Sequence, residues 1–217
     1  NKNIRLFAGK PIMWHAIHAA RKSELFDRII VSTESEKIAE VARQGGAEVP
    51  FKRPSALADD HTKITDVLKH ALYWMKKKKI FPDYLCCIYA TAPFIQQDHL
   101  RQGYKLVSQG QATRAFTVTT HPAPIYRALK LNKHGRLEMI WPQYKLTRSQ
   151  DLPQTYYNAG QFHWYQAQSL LDPDAPAKKE AIPIIIPRYL AHDIDSLEDW
   201  ETAENMYLGM NAKAKHV

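Results

Sequence analysis

Two hydrophobic patterns alternate along this chain. Short runs of β-branched and aromatic residues, bounded by turn formers, are separated by longer stretches in which apolar residues recur every three to four positions. The first pattern reads as buried strand and the second as amphipathic helix. Ile12, His15, Ala16, Ala19 and Ala20 recur at helical spacing, and Pro11 sits where a helix leaves its first N–H unbonded, so a helix is expected over residues 11–25. A strand over 28–33 feeds a helix that starts at Glu34 or Ser35 and runs to Gln44, where Gly45-Gly46 stops it. A short strand over 47–51, a loop over 53–62, a helix over 62–77, a buried strand over 84–89, a helix over 97–108 and a strand over 115–119 follow. This alternation predicts an α/β fold with a mostly parallel sheet flanked by helices, in a single domain over residues 1–217.

Between His121 and Gln154 the alternation fails. Residues 126–132 and 136–141 read as an antiparallel hairpin around Lys133-His134-Gly135. Two readings stand: a projecting arm over 121–154 that clasps a second subunit, or a hairpin packed on its own domain. After it come the segment 156–164, with an Ala159-Gly160 turn, and an apolar strand over 182–186. Pro183 cannot donate to a ladder, so this strand should be an edge or begin there. A last helix over 196–210 should bury Leu197, Trp200, Ala203 and Tyr207.

Composition narrows the partners. Of 217 residues, 30 are Lys or Arg and 22 Asp or Glu, and the net charge of +8 suggests an anionic partner without choosing among nucleotide, acidic sugar, nucleic acid or membrane surface. The basic residues are not interleaved with aromatics as single-strand nucleic acid binding would require, and Lys76-Lys77-Lys78-Lys79 falls where cations complement a helix carboxyl end. Neither nucleic acid nor membrane is therefore the expected partner. The two cysteines, Cys86 and Cys87, are adjacent in a predicted strand and point to opposite faces. That excludes a disulfide framework and points to a reducing cytoplasm. No apolar run approaches the roughly 20 residues that span a bilayer.

The sharpest chemical signal is Asp193-Ile194-Asp195, between an apolar strand and a helix start. In an extended segment the two carboxylates project to one face about 6 to 7 Å apart, where one hydrated divalent cation can bridge them. Mg²⁺ held by one or two carboxylates, with water and phosphate on its other positions, is the usual arrangement for nucleotide chemistry. The competing reading is that both acids merely favour the start of a helix capped by Ser196, with Asp199 three residues on.

Several fragments occur in a recognisable order: Lys2-Asn3-Ile4, Gly9-Lys10-Pro11, Ile30-Val31-Ser32-Thr33, Ala47-Glu48-Val49-Pro50-Phe51 with Arg53-Pro54, and Asp193-Ile194-Asp195. Together they resemble the acylneuraminate cytidylyltransferases over nearly the whole chain. Tyr89-Ala90-Thr91-Ala92-Pro93 and the segment from Gln154 to Phe162 look like the branch that acts on pseudaminic acid. The resemblance implies a Rossmann-like fold, a homodimer, and transfer of CMP from CTP to the anomeric hydroxyl of an acidic nine-carbon sugar. It places Lys2 and Asn3 at the nucleotide, with Lys2 catalytic. Arg53 and the loop from Asp60 to Thr62 lie by the base or ribose, Tyr89 and Thr91 at the nucleotide, and Asp193 and Asp195 on Mg²⁺. It also places a strand and an Arg-x-Gly-Ser-Lys type phosphate loop before Lys2, so the sequence is expected to be a truncation, and a chain lacking that loop should bind CTP poorly.

Pseudaminic acid carries a carboxylate, two N-acyl groups and a terminal methyl, and a matching pocket needs a cation, amide partners and aromatic walls. Arg148 could receive the carboxylate. Gln154, Asn158 and Gln161 could pair with amides or hydroxyls, with Gly160 at the turn between them, and Tyr156, Phe162 or Trp164 could pack on the methyls. Core packing is the alternative for Phe162 and Trp164. His192 and His163 could act as a base or be satisfied structural histidines. The same chemistry with sialic, legionaminic or 3-deoxy-octulosonic acid is one alternative function; a non-catalytic basic binding module is the other.

Overall fold

A computed structural model of the chain describes residues 2–59, 61–172 and 181–214. After a 3₁₀ turn at Lys2–Ile4, β1 (Leu6–Phe7) and β2 (Lys10–Pro11) pair antiparallel and lead into α1 (Ile12–Ser23). Pro11 precedes the helix, and Glu24 closes it in the left-handed region, its N–H bonded to Arg21 O. α1 separates two apolar clusters. Ile12 and Ala16 belong to the main core, while Met13 and Ile17 meet Ala42 and Ala47 in a second cluster. α2 (Glu36–Gln44) is capped by the Ser35 hydroxyl, which accepts from Ile38 N–H, and ends at Gly45-Gly46 as expected.

The predicted strands at 28–33 and 47–51 are reduced to two parallel bridges, Ile30 with Glu48 and Thr33 with Lys52. Glu48 donates to Ile29 O and accepts from Val31 N–H. The next donor due on that side of a parallel ladder is residue 50, a proline, so the ladder lapses until the second bridge. Next come α3 (Ile64–Lys77), β3 (Tyr84–Ile88), α4 (Gln97–Ser108) and β4 (Arg114–Thr120).

The insertion that follows carries β5 (Leu129–Leu131) and β6 (Leu137–Met139), an antiparallel hairpin. The Asn132 side chain closes its turn by accepting from His134 and Arg136 N–H, and Gly135 takes a positive φ of 69°. Leu129, Leu131 and Leu137 are 53, 68 and 67% exposed. The chain then enters β7 (Tyr156–Gln166), α5 (Ala167–Leu171), β8 (Ile182–Ile185) and α6 (Leu197–Ala214).

The main sheet has the order β3-β7-β4-β8. β7 is antiparallel to β3 and β4, and β4 is parallel to β8. The sheet is therefore mixed, a correction to the mostly parallel expectation. Thr120 pairs with Tyr156, so residues 121–155 are an insertion at the mouth of one long hairpin, and a hairpin returns its strand antiparallel without a crossover. β3, β4 and β8 still run the same way, and their carboxyl ends share one edge. β8 ends the sheet order, as Pro183 requires. Phe162, Trp164, Ile184, Leu100 and Phe7 form the centre of the main core, which settles Phe162 and Trp164 as packing residues. Leu197, expected inside, is 56% exposed, whereas Trp200 and Ala203 are buried.

Candidate active site

Ligands of open α/β sheets collect beyond the carboxyl ends of the strands. At that edge lie Tyr89 after β3, the amino end of the reversed β7 with Tyr156 and Asn158, and the segment after β8 that carries Asp193 and Asp195. Ile194 is 1% exposed between two exposed aspartates, the alternation of an extended segment with its apolar residue inward and both acids outward. The cap expected at Ser196, with Asp199 three residues on, is present. Asp199 accepts from the N–H groups of Asp195 and Ser196 and from the Ser196 hydroxyl, which in turn accepts from Asp199 N–H. This reciprocal box caps α6 and holds the Asp199 carboxyl below its ordinary range, with the Ser196 hydroxyl the largest cause. The Asp193 and Asp195 side chains are not used as caps.

Lys2 is brought onto this pair. Its ammonium donates to Ile194 O and to Asp195 Oδ1, the latter at 3.1 Å. A cleft of about 350 Å³ opens there, lined by Lys2, Arg5, Asp195, Ser196, Leu197 and Trp200, and the Arg5 guanidinium lies 4.6 Å over the Trp200 ring. Arg5 was not singled out in the sequence, although its place three residues after Lys2 was the available signal. Asn3 is half-buried on the same 3₁₀ turn as Lys2. On the other side of the pair, burial raises the Tyr89 phenol above its ordinary value, and the charges of Cys87 and Asp193 add to the rise. Thr91 is half-buried just beyond.

Two hard carboxylates, with the Asp195 side chain 78% exposed, suit Mg²⁺, which takes one or two protein carboxylates and leaves its other positions to water and phosphate. Among the described residues no group of three or more His, Cys, Asp or Glu side chains could hold a metal ion, so a metal here would rest on the pair alone. The cysteines do not contribute: burial pushes the Cys87 thiol up to about 12 and raises Cys86 as well.

The remaining expected residues divide into three groups. Arg53 is not a free cation; its guanidinium grips Glu34, with Nε donating at 3.0 Å, and holds that carboxyl down. No sequence pattern announces a pair nineteen residues apart. The Thr62 hydroxyl donates to Asp59, and Asp60 lies outside the described residues. Arg148 is in the insertion, paired through two hydrogen bonds with Asp151.

Gln154, just before β7, and Tyr156, at its start, are exposed, but the expected Ala159-Gly160 turn is a correction. Both residues lie inside the strand at a bulge, where the register slips between Phe116 and Val118 and Gly160 takes a φ of 64°. Gln161, expected at the sugar, is 2% exposed, and its amide donates to Leu190 O at 2.7 Å. It braces the segment leading to the aspartates from inside. His192 has the bonding of a satisfied structural histidine, whereas His163 has a buried Nδ1 with no hydrogen-bond partner among the described residues. His192 bonds Tyr189 O through Nε2 and packs on Phe94. His163 is buried, its Nε2 facing the Asn158 amide.

A mixed α/β sheet with an acidic pair and a lysine gathered beyond its strand ends defines the class, a nucleotidyltransferase. A solved structure of CMP:2-keto-3-deoxy-manno-octonic acid synthetase complexed with CTP shares this fold, with a TM-score of 0.66 at 13% identity over 96% of this chain and 92% of that one. The cytidylyltransferase family model matches residues 1–208, and the chain belongs to that family. Among curated relatives, pseudaminic acid cytidylyltransferase of Campylobacter jejuni subsp. jejuni serotype O:2 is 36% identical over 95% of this chain and 89% of its own length. CMP-N,N'-diacetyllegionaminic acid synthase of Legionella pneumophila is also 36% identical, but over 48% of this chain and 45% of its own length.

Proposed function

We propose that this protein transfers CMP from CTP to pseudaminic acid, releasing CMP-pseudaminic acid and pyrophosphate. One observation carries the catalytic reading: within a cytidylyltransferase, Lys2 and Asp195 are joined at a cleft beside a second outward carboxylate, Asp193. The choice of sugar is supported by identity over comparable length: the pseudaminic acid relative is 36% identical over 95% of this chain, whereas a legionaminic acid synthase of Campylobacter jejuni that covers 94% of it is 27% identical. A pocket for the sugar must draw on the whole strand edge, so the higher identity over the whole chain is the better guide.

In the reaction the anomeric oxygen bonds to the α-phosphorus of CTP, the bond to the β-phosphate oxygen breaks, and the hydroxyl proton is released. Mg²⁺ held by Asp193 and Asp195 would screen the phosphate charges, orient the α-phosphate and lower the pKa of the attacking hydroxyl. Lys2 adds a cation beside the same phosphates. Arg53, oriented by Glu34, and Thr62 serve the base or ribose; Tyr89 and Thr91 line the nucleotide side; Tyr156 and Asn158 face the sugar. The exposed leucines of the β5–β6 hairpin fit a homodimer contact, and two free cysteines fit a reducing cytoplasm.

Pyrophosphate release by the full-length natural protein, with CTP and Mg²⁺ and with pseudaminic, sialic, legionaminic and octulosonic acids in parallel, tests this. Release with pseudaminic acid is expected. Release with another sugar alone would keep the chemistry and overturn the substrate; release with none would favour a non-catalytic binding module.

A further inference from the structure

We propose that His163 is a positioning residue for the sugar acid, holding the Asn158 amide from inside the sheet in the one orientation that offers it to an N-acyl group. The proposal rests on the reading of Asn158 as a sugar contact. It starts from the β7 bulge, which folds the strand so that residues 158, 160 and 163 share hydrogen bonds.

Gly160 N–H can only donate, and it donates to Asn158 Oδ1 at 3.0 Å. That fixes the amide nitrogen on the other side, 3.3 Å from His163 Nε2. An amide nitrogen also only donates, so Nε2 must accept and the imidazole proton must sit on Nδ1, which is buried with no hydrogen-bond partner among the described residues, a cost the Nε2 bond must offset. A doubly protonated ring would set N–H against N–H and release Asn158. The ring is kept in place by neighbours that do not compete for Nε2: Phe116 stacks on it at 4.9 Å and 3°, Tyr89 meets it edge-on at 5.9 Å, and Tyr165 lies beyond at 6.2 Å. Burial, with the Arg114 charge nearby, lowers its pKa to about 4, so the ring is neutral near neutral pH.

Asn158 is itself exposed, and after these two bonds its amide retains one hydrogen on Nδ2 and one lone pair on Oδ1. Either group is available to an N-acyl substituent, the hydrogen to its C=O or the lone pair to its N–H. Without His163 the Gly160 N–H alone would restrain the amide, and its plane could swing out of line with the acyl group; discrimination of this kind depends on pre-set polar groups.

His163→Phe keeps the ring and its stack but removes the acceptor. In the full-length enzyme it should raise KM for the sugar acid about tenfold, the equivalent of ~1.4 kcal/mol, while KM for CTP stays within about twofold, inside the scatter of a neutral change. Asn158→Ala should give a similar rise, and the double variant should go no further than either single one. His163→Gln, which can return an acceptor oxygen near the Nε2 position, should recover most of the loss.

Equal shifts in both KM values would mean a merely structural role and would overturn the proposal. A rise with Asn158→Ala but none with His163→Phe would overturn it while leaving the sugar contact standing. An unchanged sugar KM in Asn158→Ala would remove the contact on which it rests. Nitrogen NMR of the imidazole at neutral pH tests the geometry without turnover: a proton on Nδ1 is expected, and a proton on Nε2 overturns the proposal whatever the sugar.

Discussion

Gly103 on α4 faces the centre of the core, and Gly103→Ala probes how tightly that core is closed. A Cβ there would stand 2.5 Å from Trp164 Cδ1, 2.8 Å from Ile184 Cδ1 and 3.0 Å from Trp164 Nε1. The isoleucine methyl can turn away, but the indole cannot: it stacks on Phe26 at 5.2 Å and 4°, and its N–H donates to Leu100 O at 3.1 Å. Overpacking of this kind costs about 1–3 kcal/mol, and a strained Trp164 bond adds about 1 kcal/mol. The gain from replacing a helical glycine by alanine offsets roughly 1 kcal/mol. The balance is a loss of about 2 kcal/mol, which for a chain of this size lowers Tm by about 4–8 °C. Gly209 on α6 is the internal control, because nothing lies within 4 Å of its added Cβ; Gly209→Ala should be neutral or stabilising by up to about 1 kcal/mol. Urea and thermal unfolding of the two variants decide the matter. If Gly103→Ala is as stable as Gly209→Ala, the core is looser than these distances require and the reasoning fails.

Three further outcomes follow from the site and its surroundings. Asp195→Ala should lower turnover at least about 100-fold, the scale of losing charge stabilisation at the reacting phosphate. Because the side chain is exposed and its Lys2 pair is a surface one, unfolding free energy should move by no more than about 1 kcal/mol; steady-state kinetics and urea denaturation separate the two effects. The homodimer contact proposed for the hairpin is tested by light scattering of the chain and of a variant with Leu131 and Leu137, both exposed, replaced by aspartate: a dimer mass that falls to a monomer mass is expected, and an unchanged mass would remove the hairpin from the interface. His163, with an ordinary pKa of 6.5 lowered to about 4 in the fold, binds a proton in the unfolded chain before the folded one. Its contribution is present above 6.5 and is lost as pH falls through the window from 6.5 to 4, so His163→Phe should flatten the urea midpoint there, by up to about 3 kcal/mol in free energy. His15, lowered in the same direction mainly by burial, leaves a residual slope in that variant.

Local signals were read well where a single residue decides them. Ser35 and Gly45 bound α2, and the bounds expected for α4 match Gln97–Ser108. Pro183 placed its strand at the end of the sheet order. What the sequence concealed was long-range. Nothing in the residues of β7 says that it returns antiparallel between β3 and β4, because strand order is set by where the insertion leaves and re-enters the sheet. Ala159-Gly160 signals a backbone in the left-handed region, and a turn and a bulge meet that demand equally well. Pro50 was visible, but its effect on a ladder depends on which side of the strand carries the hydrogen bonds. The Asp193-Ile194-Asp195 spacing was legible because alternation of exposure has period two in any extended segment, whereas the burial of Gln161 and the pairing of Arg53 with Glu34 required contacts distant in sequence.

The site's geometry is held from behind by the buried Ile194 and Gln161 and by the half-buried Asp199. Ile194 anchors the backbone between two aspartates, Gln161 ties Leu190 O four residues before it, and Asp199 takes the N–H groups of Asp195 and Ser196. Each fixes main chain, so the carboxylates are aimed by the path of the backbone, and Lys2 meets them only at Asp195 Oδ1. The same arrangement recurs on β7, where Phe162 and Trp164 fix one face in the core while His163, on the other, leaves Asn158 with one donor and one acceptor unspent. This explains why residue type alone misplaced Gln161 at the sugar, while Phe162 and Trp164 took the core-packing alternative. On a strand, polar and aromatic residues beside a site alternate between facing it and supporting it, and a bulge shifts which is which. The outward set that remains, Lys2, Asp193, Asp195, Tyr156 and Asn158, is the one on which substitution should alter kinetics with little change in stability. The inward set, led by Ile194, Gln161 and Trp164, should lose stability, with turnover falling as well where Ile194 or Gln161 no longer aims the carboxylates.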